Sequence, residues 1–229
     1  MIQAKILGGK GPVKQLLKLG NDTDYDFLIA AMDIIGDASS AIAHFQQFGL
    51  SGPTKYDDIG EKYLRLYGLL SATYIQQQSV LTIYRLMNVP DLTKMKAQFE
   101  NLRIRELRHK LSSHSTDYFD KKRRVKEAYL PLRIDLGDRN ITAVRHSPPM
   151  QHEKIDLSDA IQRHLELMID VLDSIIEKSI KTLFKGHHKK EKDFSDALSE
   201  LRVEKAGGLV IKGPKGAPRF IITFVGSKG

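Results

Sequence analysis

Four long segments of this chain repeat apolar residues at every third or fourth position, which is the spacing of one face of an α-helix. Proline and glycine interrupt the pattern between segments, and such residues end helices. The pattern therefore predicts a mainly α fold, a bundle of four long helices. The predicted helices run from Thr23 to about Leu50, from Asp57 to about Met87, from Leu92 or Thr93 to about Ser112, and from the capping residue Asp156 to about Phe184.

Shorter stretches alternate apolar and polar residues, which is the period of a β-strand. One such pair flanks the turn residues Gly137-Asp138 and predicts a β-hairpin at 127–147, inserted before the last long helix. A second pair between 208 and 225 predicts another hairpin, after a short helix at 193–201. We therefore expect an N-terminal lead-in at 1–22, a helical bundle at 23–185, and a basic, β-containing tail at 186–229.

The composition narrows the possible chemistry. No cysteine is present among the 229 residues, which excludes disulfides, thiolate zinc sites and a thiol nucleophile. The formal net charge is +8, and a basic surface attracts polyanions such as nucleic acids without sequence preference. Neither a secretory signal nor a run of about 18 apolar residues is visible, so we expect a cytoplasmic protein with no membrane partner.

One ten-residue window concentrates proton-transfer groups and fixed positive charge. Residues 105–114, Arg-Glu-Leu-Arg-His-Lys-Leu-Ser-Ser-His, lie at the end of the third predicted helix. An arginine offers planar donors to phosphate oxygens, and a histidine gives or takes a proton near neutral pH. Together they can attack a phosphodiester, because one group moves protons while the other stabilises charge at phosphorus. The simpler alternative is a basic helix C-terminus, where cations are favoured electrostatically.

Arg108, the polar residue His109 and then His114 resemble the Arg-x(4–6)-His motif of the HEPN domain family (higher eukaryote and prokaryote nucleotide-binding). The resemblance extends over residues 23–185. It implies a small helical bundle that dimerises, with the motifs of two protomers facing each other across a two-fold axis. Many members are metal-independent ribonucleases that act as toxins or antiviral effectors, so the resemblance implies no metal and no cofactor.

The resemblance implies that Arg108, His109 and His114 are catalytic. His114 would be the general base on an RNA 2′-hydroxyl, or the acid on the leaving oxygen, and Arg108 would stabilise the transition state. His109 would orient His114 or bind phosphate. On an unbroken helix, residues six apart point about 120° apart. Arg108 and His114 therefore meet only if the helix ends at Ser112-Ser113 or if two chains build the site.

The other basic residues in and after this window are candidates for substrate binding. They would contact the RNA backbone without reading its sequence, and they are Arg105, Lys110, Lys121, Lys122, Arg123 and Arg124. The expected partners are RNA, a second copy of the chain, and an antitoxin or regulatory protein. Two alternatives stay open. One is a non-catalytic module that binds RNA, a nucleotide or a protein, and the other is a structural helical protein with Arg108 and His114 at an interface.

Overall fold

A computed structural model describes residues 10–55, 57–120, 123–211 and 220–222. The chain is mainly helical, with 64% helix and small antiparallel sheets, which confirms the predicted fold class at this level. The described residues form seven α-helices: α1 Lys10–Leu17, α2 Asp22–Phe48, α3 Ile59–Leu86, α4 Leu92–Glu100, α5 Arg103–Arg108, α6 Leu157–Leu183 and α7 His188–Lys205. They also form seven strands: β1 Tyr118–Asp120, β2 Val125–Glu127, β3 Tyr129–Leu136, β4 Asn140–Arg145, β5 Gln151–Asp156, β6 Leu209–Ile211 and β7 Phe220–Ile222.

The chain divides into two compact units. One comprises residues 21–171, and the other comprises residues 1–20 together with 172–229. The division falls inside α6, so this helix contributes residues to both units. The predicted three-part division of the chain stays a prediction, because compactness alone does not define a domain boundary.

The prediction of four long helices is wrong in one place. α2, α3 and α6 have 27, 28 and 27 residues, whereas the third predicted helix is broken into α4, α5 and a π-helical turn at His109–Ser113. The break lies at Asn101 and Leu102, where the backbone of Leu102 is extended. Phe99 and Ile104 are both buried, yet one straight helix would place them about 140° apart around its axis. The break lets both side chains reach the interior.

An Asn or Asp side chain caps the start of each long helix. Asn21 Oδ1 accepts a backbone N–H at 2.8 Å at the start of α2. Asp58 Oδ1 accepts one at 2.9 Å at the start of α3. Asp156 Oδ1 accepts the backbone N–H of Ser158 at 2.8 Å and that of Asp159 at 3.1 Å. The predicted cap of the last long helix is therefore confirmed.

The core of the 21–171 unit contains side chains from α2, α3, α5, the first turns of α6 and the three strands β3, β4 and β5. They include Ile42, Phe45, Leu66, Leu70, Ile104, Leu107, Leu111, Ile141, Ile155 and Ile161. Burial of such apolar surface contributes about 25 cal/mol per Å². Because Ile104 and Leu107 belong to this core, α5 is held in a fixed rotation, and so are the residues that follow it.

Strands β3, β4 and β5 form a three-stranded antiparallel sheet with β4 in the centre. Arg145 of β4 lies opposite Tyr129 of β3 and Gln151 of β5. β1 pairs with β2 in a separate two-stranded sheet, and β6 pairs with β7 in the other unit. β3 and β4 lie within the segment 127–147. No sequence pattern predicted β5, because Gln151–Asp156 is mostly polar and does not alternate.

One described helix is long and apolar enough to cross a membrane by length and composition. It covers Thr23–Phe48 in α2, with a mean hydropathy of 1.3 and 22% of the tested window buried. The prediction that no such run exists is wrong by this test, because alanine and isoleucine outweigh Asp33 and Asp37 in the average. A core helix of a soluble protein and a signal sequence meet the same criteria, so the cytoplasmic location stays a prediction.

Candidate active site

α5 continues past Arg108 as a π-helical turn at His109–Ser113. The turn closes with a hydrogen bond from the backbone N–H of His114 to the carbonyl of His109 at 2.9 Å. A π turn accommodates one more residue than an α turn, so residues i and i+5 become neighbours. As a result, the two imidazole rings are stacked, with centroids 6.1 Å apart and an interplanar angle of 26°.

The two histidines of this pair have different surroundings. Burial lowers the pKa of His109 below its usual range, and the positive charges of Arg105 and Arg108 lower it further, while Glu100 opposes them. The side chain of His114 is 56% exposed, and its Nδ1 lies 3.4 Å from Asp117 Oδ1. The lowered pKa keeps His109 neutral at pH 7, and the Asp117 carboxylate lies beside the ring of His114.

Arg108 lies on an aromatic ring rather than on a carboxylate. Its Cζ is 3.6 Å from the ring centroid of Tyr74 on α3, which is a close cation–π contact. Within the described residues, its guanidinium forms no hydrogen bond and no ion pair. The side chain is partly exposed, so its N–H donors remain available to a ligand.

Arg105 is directed into the protein. It is 8% exposed, and it donates to Gln77 Oε1 at 3.2 Å and to Glu100 Oε1 at 2.6 Å. Its Cζ also lies 4.4 Å from the Tyr74 ring. With these donors engaged, the position of Arg105 is structural, and the predicted RNA contact would require the side chain to leave its partners.

Lys110 points inward as well. Its Nζ lies 2.6 Å from Glu106 Oε1, 4.6 Å from the Tyr129 ring centroid and 5.6 Å from that of Tyr118. Its side chain is 11% exposed. A one-residue step along a helix turns a side chain by about 100°, and this step takes Lys110 from the His109 side to the core. Its predicted role in substrate binding therefore has no support from its position.

The residues of the basic run divide into engaged, exposed and undescribed ones. Arg123 Nη1 lies 3.1 Å from Glu127 Oε1. Arg124 is exposed, with a positive φ of 57°, and its backbone N–H donates to the carbonyl of Asp120 at 2.7 Å. Lys121 and Lys122 lie outside the described residues. Arg124 is therefore the predicted phosphate contact whose position suits that role.

An open cleft of about 500 Å³ lies beside the three-stranded sheet. Its lining includes three cations, Lys110, Arg123 and Arg145, and two anions, Asp120 and Glu153. Each of the three cations is already paired with a glutamate. The cleft therefore offers little uncompensated positive charge to a phosphate, and the histidine pair remains the better candidate site.

A buried polar chain behind the motif was not found from the sequence. His164 on α6 is fully buried, with Nδ1 3.2 Å from Gln77 Nε2 and Nε2 2.7 Å from Gln76 Oε1. Gln77 in turn accepts from Arg105. Burial lowers the pKa of His164 to about 4. The available signal was the presence of polar residues at core positions of two apolar stripes.

No group of three or more His, Asp or Glu side chains in the described part of the chain is arranged to hold a metal ion. The chain matches no protein-family model, no curated protein and no solved structure. The resemblance to HEPN domains thus rests on the motif residues and the helical pattern, and it stays a prediction.

Proposed function

We propose that the 21–171 unit is a metal-independent endoribonuclease with His109, His114 and Arg108 as its catalytic groups. The observation that carries the proposal is the pair of imidazole rings 6.1 Å apart. The chain adjoining this pair supplies Arg108, whose donors are not used by the described protein. Two proton-transfer groups and a fixed cation are what transesterification of a phosphodiester needs.

The surroundings of the two rings suggest a division of labour. His109, with its lowered pKa, is the general base that takes the proton of the 2′-hydroxyl. The 2′-oxygen attacks phosphorus, and the bond from phosphorus to the 5′-oxygen breaks. His114, whose Nδ1 lies beside the Asp117 carboxylate, is the general acid that gives a proton to that leaving oxygen. The products are a 2′,3′-cyclic phosphate and a 5′-hydroxyl, and Arg108 stabilises charge on the non-bridging oxygens.

This assignment makes His109 the general base and His114 the general acid. In the sequence-based hypothesis His114 was the first candidate for the base. The ring separation is about twice the reach of a hydrogen bond, so one phosphate group can be in reach of both rings. RNA is the substrate class because the nucleophile is the 2′-hydroxyl, which DNA lacks. Exposed Arg124 and Lys126 would contact the backbone without reading sequence.

The HEPN resemblance adds a second copy of the chain to the proposal. In a two-fold dimer the same surface is used twice, so two motifs would face each other. A toxin or antiviral ribonuclease of this kind would need an antitoxin or regulatory protein to restrain it. Light scattering on the purified chain tests the dimer, since a monomer at micromolar concentration would contradict this part of the proposal.

The test of the activity is RNA cleavage in the presence of EDTA. We would compare wild type with the His109→Ala, His114→Ala and Arg108→Ala variants on mixed single-stranded and structured RNA. The matched control is His146→Ala, because His146 is exposed and lies outside the ring pair. We expect wild type and the control to leave cyclic phosphate ends, and each catalytic variant to lose about 100-fold or more of the rate.

Cleavage that requires a divalent metal would contradict the proposed mechanism, and so would equal cleavage by all variants. Absence of cleavage by a folded wild-type protein would favour the non-catalytic binding module instead. In that case, RNA binding that is unchanged in His114→Ala would show that His114 does not contribute to RNA recognition.

A further inference from the structure

The ring of Tyr74 carries two guanidinium groups. The Cζ atoms of Arg105 and Arg108 lie 4.4 Å and 3.6 Å from its centroid. The two arginines are three residues apart on α5 and therefore lie on neighbouring positions of one helix face. Tyr74 belongs to α3, so this contact joins two helices of the 21–171 unit.

The two arginines use their donors differently. Arg105 is buried, and it donates from Nη1 to Gln77 and from Nη2 to Glu100. Arg108 lies closer to the ring, and its guanidinium forms no hydrogen bond within the described residues. A guanidinium that lies over an aromatic face is stabilised through its π surface, while its N–H groups point outward in its own plane. The ring contact thus fixes Arg108 without consuming the donors that bind phosphate.

Arg105, the second arginine in contact with the Tyr74 ring, is itself held in place. Arg105 is tied to Gln77, which lies one turn from Tyr74 on α3, and Gln77 is tied to fully buried His164. Buried polar groups that are hydrogen-bonded to each other restrict one another's positions. The Tyr74 ring that contacts Arg108 therefore also contacts an arginine that is hydrogen-bonded to a buried polar chain.

We propose that Tyr74 is a positioning residue that holds the Arg108 guanidinium over its ring, with the N–H donors presented to a phosphate group of the substrate. The expected effect on the cleavage rate rests on the proposed function, because Arg108 is a catalytic group of that site and Tyr74 would set its orientation. The anion recognised is a phosphate, and bidentate contact with two of its oxygens suits a planar guanidinium.

The experiment compares Tyr74→Phe, Tyr74→Leu and Tyr74→Met with wild type. Phe keeps the ring, whereas Leu and Met keep apolar volume without it, so either can serve if the other fails to fold. Tyr67→Leu is the matched control, because Tyr67 lies on the same helix and its ring contacts Tyr63 instead. The readouts are kcat and KM for RNA, the pH–rate profile, and the NMR shift of the Arg108 Nε–H group during titration with inorganic phosphate.

We expect Tyr74→Phe and Tyr67→Leu to match wild type. Tyr74→Leu and Tyr74→Met should lose roughly five- to thirtyfold in kcat/KM, the range for removal of a close cation–π contact. The pH–rate profile should not change, since both histidines remain. The Arg108 resonance should lose its ring-current shift and its response to phosphate in the Leu and Met variants only.

The two readouts separate this inference from the ribonuclease proposal. If wild type does not cleave RNA but phosphate still shifts the Arg108 resonance in a ring-dependent way, the ribonuclease fails and the positioning role of Tyr74 stands. If wild type cleaves RNA and the Leu and Met variants keep both the activity and the phosphate response, the positioning role is overturned. Absence of any phosphate response in wild type overturns it as well.

Discussion

Acidification should destabilise this protein through His164. The ring is fully buried, and its two nitrogens face Gln77 Nε2 and Gln76 Oε1. A neutral ring satisfies both contacts, because Nε2–H donates to the Gln76 oxygen and Nδ1 accepts from the Gln77 amide. A protonated ring would place a donor at Nδ1 against another donor, with a charge that the interior does not solvate.

The sign and size follow from the two pKa values. Burial lowers the pKa of His164 from 6.5 to about 4 in the folded protein, so the unfolded chain binds the proton first as the pH falls. The stability that the neutral ring contributes is complete above pH 6.5 and is lost between pH 6.5 and pH 4. One pKa unit corresponds to about 1.4 kcal/mol. The free energy of unfolding should therefore fall by about 2 kcal/mol at pH 5 and about 3 kcal/mol at pH 4.

The assay is urea unfolding of wild type, His164→Gln and His114→Gln between pH 7 and pH 4.5, followed by circular dichroism. His114 is the matched control because its side chain is 56% exposed. We expect the pH dependence of the free energy of unfolding to be smaller in His164→Gln by about 2 kcal/mol between pH 7 and pH 5, and unchanged in His114→Gln. Identical pH dependence in wild type and His164→Gln would refute the reasoning.

Three further predictions concern other parts of the 21–171 unit. Glu127→Gln should cost about 3–5 kcal/mol in urea unfolding, because it leaves buried Arg145, 2.9 Å away, without its anion; no loss would contradict a structural role for this pair. Gly49→Ala should destabilise, since Gly49 has a φ of 65° and no room for a side chain, whereas Gly36→Ala should gain about 0.5–1 kcal/mol on an open helix surface. With His109 as base, kcat/KM should fall only below a pKa lower than 6.5, and an acid limb centred above that value would exclude this residue.

The long helices were predictable because their signals are local. The last one was expected from its cap at Asp156 to about Phe184 and runs over Leu157–Leu183. Its period and its cap lie within its own sequence. The break before α5 was not predictable in this way, because it depends on which surfaces Phe99 and Ile104 meet, and those surfaces belong to distant segments. β5 was missed for the same reason, since its pairing partner β4 defines it.

In the candidate site, too, the local features were predictable from the sequence and the contacts between distant segments were not. Arg108, His109 and His114 were found from residue type and spacing, and the ring pair brings the two histidines together. Their neighbours Tyr74, Gln77 and His164 come from other helices. No spacing rule connects them to the motif, so only the fold identifies them. Sequence alone also overestimated the free positive charge, because Arg105 is paired with Glu100 and Lys110 with Glu106.

The π-helical turn has a consequence for how such a motif tolerates insertion and deletion. A π turn is an α-helical turn that has absorbed one extra residue. Deleting one residue between 109 and 113 would restore a regular α-helical turn, in which the two histidines would be four residues apart and still neighbours on one helix face. A related chain with one residue fewer in this interval could therefore keep both rings on one face by lacking the π turn. Selection would then act on the relative position of the two imidazole rings, and the number of residues between the two histidines could vary.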